Sequence, residues 1–160
     1  MRPKDLAVDG VDAEILYPSV ALRMFAIPDL SYQLACFRAY NAWLAGFVKQ
    51  RPDMFKGVGI VPIDDMEIAA GEVRRCKELG LSGIAISVNP AQGKGYDSGF
   101  YDPLWAAAQE YEMPVSMHLS TERQVKATRT GYSRYVGGVT DVTRIQEALG
   151  LMILSGVFQR

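Results

Sequence analysis

The sequence predicts an α/β fold, namely part of a TIM-type (β/α)8 barrel with about four βα units around a parallel sheet. Three observations lead to this prediction. Short apolar runs begin near residues 13, 55, 83 and 114, and a helical pattern follows each one. Strands that alternate with helices favour a parallel sheet. In addition, the side chains of each strand differ between its two faces, and both ends of the chain fall in helix-like segments.

The first unit pairs a short strand with a long helix. The strand lies at residues 13–19, where Pro18 interrupts the apolar run. Asp29 or Ser31 can cap the helix that follows, because a short polar side chain accepts hydrogen bonds from the free amides of the first turn. Apolar residues then recur at helical spacing up to Pro52. The residue before a proline leaves the helical region, so we expect the helix to end there.

The second unit repeats this arrangement. Its strand lies at residues 55–63, and Asp64 or Asp65 begins the next helix. Gly80 follows the last apolar position of that helix, where a positive φ favours glycine.

The third and fourth units complete the sheet. The third strand lies at residues 83–89, and its helix begins at Asp102, with a proline in the next position. The fourth strand lies at residues 114–120 and is followed by a long polar loop. The last helix begins at about Thr140.

Side-chain alternation favours a barrel over an open sheet. Successive strand residues point to opposite faces, so every second residue shares a face. One face of the strands is bulky and apolar, and we assign the small or polar residues to the other: Gly57, Gly59, Ala85, Ser87, Ser116 and His118. A doubly wound sheet needs bulky residues on both faces. A barrel has helices only on its outside and accepts polar groups at its catalytic end.

We expect a single incomplete domain, residues 1–160. A complete barrel has eight strand-helix units and about 250 residues, whereas this chain has 160 residues and four units. The opening segment resembles the last turn of a helix that ends at Gly10. A complete, open four-stranded domain is the alternative.

Composition excludes several classes of function. The chain is 49% hydrophobic and 22% charged, as globular proteins are, and its net charge of −1 predicts no binding to nucleic acid or an anionic membrane. The longest apolar run is too short to span a bilayer, and the first residues contain no apolar signal core. We therefore expect a cytoplasmic protein. Cys36 and Cys76 lack CxxC spacing and are predicted to be buried, reduced thiols.

His118 is the only histidine of the chain and ends the fourth apolar strand. A histidine in this position can be a metal ligand, a catalytic base or a hydrogen-bonded core residue. Ser19, Ser87 and Asn89 also end strands, and they are candidates to line a substrate pocket. Tyr17 shares the face of Ser19 and is a candidate for the same reason.

Two arginines are candidates to bind a substrate carboxylate. Arg23 lies just beyond the first strand, and Arg123 lies in the loop after the fourth strand. Loops that follow barrel strands usually carry substrate contacts, and guanidinium groups suit carboxylates. The alternative is a solvated loop whose charges have no specific role.

The order of several segments resembles one known family. The chain reads "DGVDAEILYPS", "CFRAYNAWLAGF", "RPDMFKGVGIVPI", "ELGLSGIAIS" and "FYDPLWAAAQEYEMPVSMHLST". From about residue 5 to 158 this is similar to the amidohydrolase-related proteins, which are TIM-barrel metal enzymes that include aminocarboxymuconate semialdehyde decarboxylase and related aromatic-acid decarboxylases. The resemblance implies a metal-dependent hydrolase or non-oxidative decarboxylase that acts on small carboxylate-bearing or cyclic molecules.

The resemblance also implies a role for His118. In the family, the histidine that ends this strand binds a divalent metal, usually zinc. The family pattern further includes a His-x-His pair on the first barrel strand, a later histidine and a late aspartate, and none of these is present here. A catalytic zinc needs about three protein ligands. We therefore expect zinc in the full-length enzyme, and no bound metal and no activity in this chain alone.

Two alternatives to an enzyme fragment remain open. The chain can be a non-catalytic half-barrel that pairs with itself as a homo-oligomer or with a partner, or an open-sheet domain that binds a small molecule.

Overall fold

Four parallel strands form one sheet in the computed structural model, which describes residues 2–121, 132, 135–137 and 141–159. The strands follow chain order across the sheet: β1 (Glu14–Leu16), β2 (Phe55–Ile60), β3 (Gly83–Ser87) and β4 (Val115–His118). The helices are α1 (Arg2–Val8), α2 (Leu30–Val48), α3 (Met66–Glu78), α4 (Asp102–Glu110) and α5 (Val142–Leu154), with 3-10 helices at Val20–Ala26, Gly99–Tyr101 and Val157–Gln159. Each predicted strand is present, and the predicted parallel α/β architecture is confirmed.

Local capping chemistry sets the helix boundaries. The Asp29 carboxylate accepts a hydrogen bond from the Tyr32 amide, and the Asp65 carboxylate accepts from the amides at positions 67 and 68. Gly80 has φ +82° after α3, as the predicted helix end requires. Helix α4 begins differently from the prediction. A 3-10 turn capped by Ser98 precedes it, so Asp102 is the first residue of the helix rather than its cap.

One large core joins the helices to one face of the sheet. Ile84 and Ile86 of β3 are fully buried there, together with Val73 of α3 and Leu104 of α4. Met152 of α5 belongs to the same cluster. Helices α2 to α5 therefore all contribute to a core on this face, as the outer helices of a barrel do. We call this face outer and the opposite face inner.

The predicted face of β2 is wrong. The register pairs Gly59 with Ile84 and Ile60 with Ala85, so the glycines of β2 share the outer face with the bulky residues of β3. A Cβ atom at Gly57 would lie 2.9 Å from a methyl group of Leu81. Glycine is required here because helix α2 and the α3–β3 connection approach the strand backbone closely.

A second cluster covers the inner face at its centre. Val58 and Ile60 of β2 and Ala85 of β3 pack there against Phe25 of the 3-10 helix Val20–Ala26. The Gln33 amide holds this segment in place by donating to the carbonyl groups of residues 24, 25 and 27. The inner face is therefore apolar in its middle and polar at β4.

A buried amide replaces a missing strand partner. Strand β1 pairs with β2 only as far as Leu16 opposite Gly57, whereas β2 continues to Ile60. The Asn41 side chain accepts from the Ile60 amide at 2.8 Å and donates to the Ile60 carbonyl at 2.9 Å. Asn41 is completely buried. It satisfies both backbone groups where β1 is too short to do so.

Candidate active site

The carboxyl end of β4 brings three polar side chains together on the inner face. His118 is the last residue of β4 and Ser116 lies two positions before it, so both side chains share that face. Tyr17 follows β1 and reaches across to them. Its hydroxyl lies 3.0 Å from the Ser116 hydroxyl, and its ring centroid lies 6.1 Å from that of His118. Tyr17, Ser116 and His118 form the candidate site.

The hydrogen-bond partner of the His118 ring assigns its tautomer. Its Nδ1 atom is hydrogen-bonded to the Leu119 carbonyl oxygen. A carbonyl oxygen only accepts, so Nδ1 carries the hydrogen, and in the neutral ring Nε2 carries the lone pair. Histidines that bind metals usually donate their other N–H group to a carbonyl or carboxylate in this way. Nε2 is therefore the nitrogen that can bind a metal or accept a proton.

A separate hydrogen-bond network fixes the backbone around His118. The Thr121 hydroxyl donates to the His118 carbonyl at 2.7 Å and accepts from the Val88 amide at 2.8 Å. Ser120 adopts φ +67°, which turns the chain back so that Thr121 reaches the end of β3. Strands β3 and β4 are thus joined beyond their last paired residues.

Ser87 and Asn89 belong to this network. The Ser87 hydroxyl is fully buried, donates to the Thr121 carbonyl at 2.7 Å and accepts from the Asn89 amide at 3.0 Å. Ser87 pairs with His118 in the sheet register, yet its hydroxyl is engaged in holding the strand ends together. Asn89 is half-buried beside it. Substrate binding by these two residues stays a prediction.

The remaining predicted residues are less closely connected. Ser19 is exposed at the start of the 3-10 helix Val20–Ala26 and makes no capping hydrogen bond. Arg23 is exposed on the same helix. Arg123 lies outside the described residues.

Ser116 and Thr121 are the two residues that the sequence prediction missed. Ser116 had a signal in the sequence, since it lies on the same face as His118 one step earlier. Thr121 had none, because its partners Ser87 and Val88 lie more than 30 positions away in the chain.

The described residues do not make a complete metal site. Among them, no group of three or more His, Cys, Asp or Glu side chains lies close enough together to hold a metal ion. A catalytic zinc needs about three protein ligands, and this part of the chain offers the single imidazole of His118. The residues present therefore do not fit a bound catalytic metal by themselves.

The two cysteines contribute no second site. Both are free thiols. Cys76 is completely buried between α3 and the sheet, and this burial raises the pKa of its thiol to about 12. A thiol in that state does not act as a nucleophile near neutral pH. Cys36 differs from the prediction that both thiols are buried, because it is only half-buried.

None of the described helices has the length and apolarity needed to cross a membrane.

Comparison with known proteins gives a consistent family assignment. Residues 3–160 match the model of the amidohydrolase family. The 2-amino-3-carboxymuconate-6-semialdehyde decarboxylase of Dictyostelium discoideum is 31% identical over 163 aligned residues, which cover 100% of this chain and 44% of that enzyme. The chain spans less than half the length of the curated relatives that it matches.

Solved structures agree with this assignment. A crystal structure of a putative amidohydrolase from Staphylococcus aureus superposes with a TM-score of 0.79 at 22% identity, over 99% of this chain and 54% of that one. This likeness shows the fold. The 5-carboxyvanillate decarboxylase of Novosphingobium aromaticivorans, solved as a mutant with manganese and 3-methoxy-4-hydroxy-5-nitrobenzoic acid, gives a TM-score of 0.64 at 27% identity, over 98% of this chain and 42% of that one. The four parallel strands are thus half of the barrel of these proteins, and the chain belongs to the amidohydrolase family.

Proposed function

We propose that this chain supplies the half of a metal-dependent decarboxylase barrel that carries one metal-binding histidine, His118. The observation that carries the proposal is the His118 ring at the carboxyl end of β4, with Nδ1 hydrogen-bonded to a backbone carbonyl and Nε2 left as the ligand atom. Divalent zinc is the metal expected from the family resemblance, whereas the Novosphingobium relative holds manganese. Both ions therefore belong in any test.

Decarboxylation is favoured over hydrolysis by the relatives. The matched enzymes from Dictyostelium and Novosphingobium are both decarboxylases of small unsaturated or aromatic acids. In such a reaction the bond between the carboxylate and the carbon breaks, the electron pair stays on that carbon, and a proton must reach it as carbon dioxide leaves. We propose a small carboxylic acid of this type as the substrate.

The neighbouring hydroxyl groups suit substrate binding. Tyr17 and Ser116 both donate and accept hydrogen bonds, and they lie on the same face as His118. We assign to them the positioning of a substrate hydroxyl or carboxylate group. Ser19, Arg23, Ser87, Asn89 and Arg123 remain additional candidates for substrate binding, with the arginines directed at the carboxylate. A cytoplasmic location is part of the proposal.

The single histidine allows a direct test of the metal role. Because the chain contains only one histidine, its imidazole protons give one set of NMR signals. Titration with Mn²⁺, a paramagnetic ion, should broaden these signals first and selectively. The indole proton of Trp43, which is on the exposed side of α2, should broaden only at much higher ion concentration. Equal broadening of both signals would contradict the proposed role of His118.

Activity measurements test the second part of the proposal. We expect no release of carbon dioxide from 5-carboxyvanillate or 2-amino-3-carboxymuconate-6-semialdehyde when the 160-residue chain is supplied with Zn²⁺ or Mn²⁺, because one imidazole cannot complete the metal site. Turnover above the metal-only blank that disappears in His118→Ala would show that this chain alone is a working enzyme.

A further inference from the structure

Three buried hydroxyl groups connect the segment after β3 to the end of β4. The Tyr96 hydroxyl donates to the Ser87 carbonyl, and the Ser87 hydroxyl donates to the Thr121 carbonyl at 2.7 Å. The Thr121 hydroxyl in turn donates to the His118 carbonyl at 2.7 Å. The residues that carry these hydroxyls are at most 1% exposed. Each hydroxyl therefore fixes a backbone carbonyl of the next residue in the series, and we call this series the hydroxyl chain.

Packing fixes the hydroxyl chain at its Tyr96 end. The Tyr96 ring lies in the main core, and its centroid is 4.8 Å from that of Tyr101 and 6.1 Å from that of Trp105. Buried aromatic rings in such clusters contribute strongly to core packing. Because the Tyr96 ring cannot move without disturbing this cluster, its hydroxyl is a fixed donor at the end of β3.

The turn that carries Thr121 also carries the acceptor of the His118 ring. Ser120 has φ +67°, a conformation that is uncommon for residues other than glycine and that persists only where the surroundings impose it. Thr121 holds the far side of the turn, since its hydroxyl bonds both to the His118 carbonyl and to the Val88 amide. The Leu119 carbonyl belongs to the planar peptide unit that precedes Ser120, so its direction depends on the same φ angle.

The Leu119 carbonyl determines which nitrogen of His118 carries the hydrogen. It accepts from Nδ1, and in the neutral ring Nε2 is then left with the lone pair. If the turn relaxes, this carbonyl moves away from Nδ1, and the ring loses the hydrogen bond that selects one tautomer over the other. The hydroxyl chain is therefore connected to the ring through the backbone of residues 118–121.

We propose that Thr121 and Tyr96 are positioning residues for His118. Through the hydroxyl chain they hold the turn at residues 118–121, and the turn holds the imidazole in the tautomer whose Nε2 has no hydrogen. Both residues act through the backbone. The inference rests on the proposed function for its meaning, because Nε2 is the atom to which that proposal gives the ligand role. The tautomer itself is a property of the chain and can be measured without metal.

Nitrogen NMR of the single histidine tests this inference. The two ring nitrogens of an isotopically labelled chain give one pair of signals, and their positions report the tautomer ratio at about pH 8.5, where an imidazole is neutral. Thr121→Val keeps the shape of the side chain and removes its hydroxyl. It should lower the ratio of the Nδ1–H form to the Nε2–H form by about fivefold or more, the effect of losing one ordinary hydrogen bond. Thr121→Ser retains a hydroxyl and should keep the ratio of the unmodified chain.

The two buried tyrosines after β3 supply a matched pair of variants. Tyr101 is as deeply buried as Tyr96. Its described hydrogen bonds, however, go to the Ala91 amide and the Lys94 carbonyl, outside the hydroxyl chain. Tyr96→Phe should shift the tautomer ratio in the same direction as Thr121→Val, whereas Tyr101→Phe should leave it unchanged. Both phenylalanine variants remove one buried hydroxyl, so their urea midpoints should fall by similar amounts.

Two results would overturn the inference. An unchanged tautomer ratio in Thr121→Val, together with a lower urea midpoint, would show that Thr121 only stabilises the fold. Equal shifts of the ratio in Tyr96→Phe and Tyr101→Phe would show that loosening of the core affects His118 rather than the hydroxyl chain. If Thr121→Val does not fold, the tyrosine pair decides the question. Failure of Mn²⁺ to broaden the histidine signals selectively would refute the proposed function and would leave the tautomer ratios as they are, so the two failures are distinguishable.

Discussion

Helices α2 and α3 approach the backbone of β2 closely at Gly59, and replacing this residue with alanine tests the face assignment of β2. The added Cβ atom would lie 2.8 Å from the Cys76 sulfur, 2.9 Å from a methyl group of Leu81 and 3.2 Å from the Asn41 amide oxygen. Contacts below 3.0 Å require the neighbours to move. Cys76 and Asn41 are completely buried and Leu81 is almost so, which leaves them little room to move.

The expected cost follows from this overpacking. Inserting one methyl group into a well-packed core typically costs about 1–3 kcal/mol. Strand β2 is paired on both sides, with β1 and with β3, so it cannot shift without disturbing the sheet. We therefore expect Gly59→Ala to lower the free energy of unfolding by about 2–3 kcal/mol, near the upper part of that range.

Urea unfolding followed by circular dichroism measures this loss. Gly71→Ala is the matched control, because Gly71 lies within α3 and a Cβ atom there would meet nothing within 4 Å. Alanine is favoured over glycine in a helix, so this variant should gain up to about 1 kcal/mol. A Gly59→Ala variant as stable as the unmodified chain would mean that nothing packs closely against this glycine, and would refute the packing described here.

Three further predictions concern buried and half-buried groups. His118→Ala should change the free energy of unfolding by less than about 1 kcal/mol in thermal or urea unfolding. The reason is that the imidazole ring is half-buried and its described hydrogen bond is to the adjacent residue. A loss above about 2 kcal/mol would mean that His118 has a structural role. Asn41→Leu should destabilise the chain by about 2–4 kcal/mol, since it leaves both backbone groups of Ile60 buried without partners; an unchanged urea midpoint would contradict that account. Burial raises the pKa of the Cys76 thiol and of the Tyr40 hydroxyl to about 12, above the ordinary values of 9.0 and 10.0. The folded state therefore keeps protons that the unfolded state loses as the pH rises. The contribution of these groups to the free energy of unfolding should be full below pH 9 and should be lost between pH 9 and 12. A Cys76→Ala, Tyr40→Phe double variant whose melting temperature falls just as steeply over this pH range would exclude these groups as the cause.

The order of elements was predictable because it depends on short-range patterns. Runs of apolar residues, the capping aspartates and Gly80 are local signals, and each appears in the structure within a few residues of its predicted place. Parallel pairing followed from the alternation of strands and helices.

The face of β2 could not be predicted in the same way. Alternation within a strand shows which residues share a face, but not which face is turned toward the helices. Their small size alone predicts that Gly57 and Gly59 lie on the inner face. The structure places them outside, where small size is needed for α2 and Cys76 to approach. The absolute assignment depends on packing between elements that are distant in the chain.

The candidate site was predictable only where it depends on short-range patterns in the sequence. His118 ends an apolar strand, and that position is visible in the sequence. The use of the Ser87 hydroxyl depends on Thr121, which returns to β3 only because the chain turns at Ser120. Such long-range contacts leave no pattern in a single sequence.

Metal binding to the purified 160-residue chain tests the central proposal most directly, namely that His118 is one ligand of a site whose other ligands the described residues do not supply. Calorimetric titration with Zn²⁺ and with Mn²⁺ should show weak binding, with dissociation constants in the millimolar range, and His118→Ala should abolish it. One tightly held metal ion per chain, or binding that persists without His118, would contradict the account.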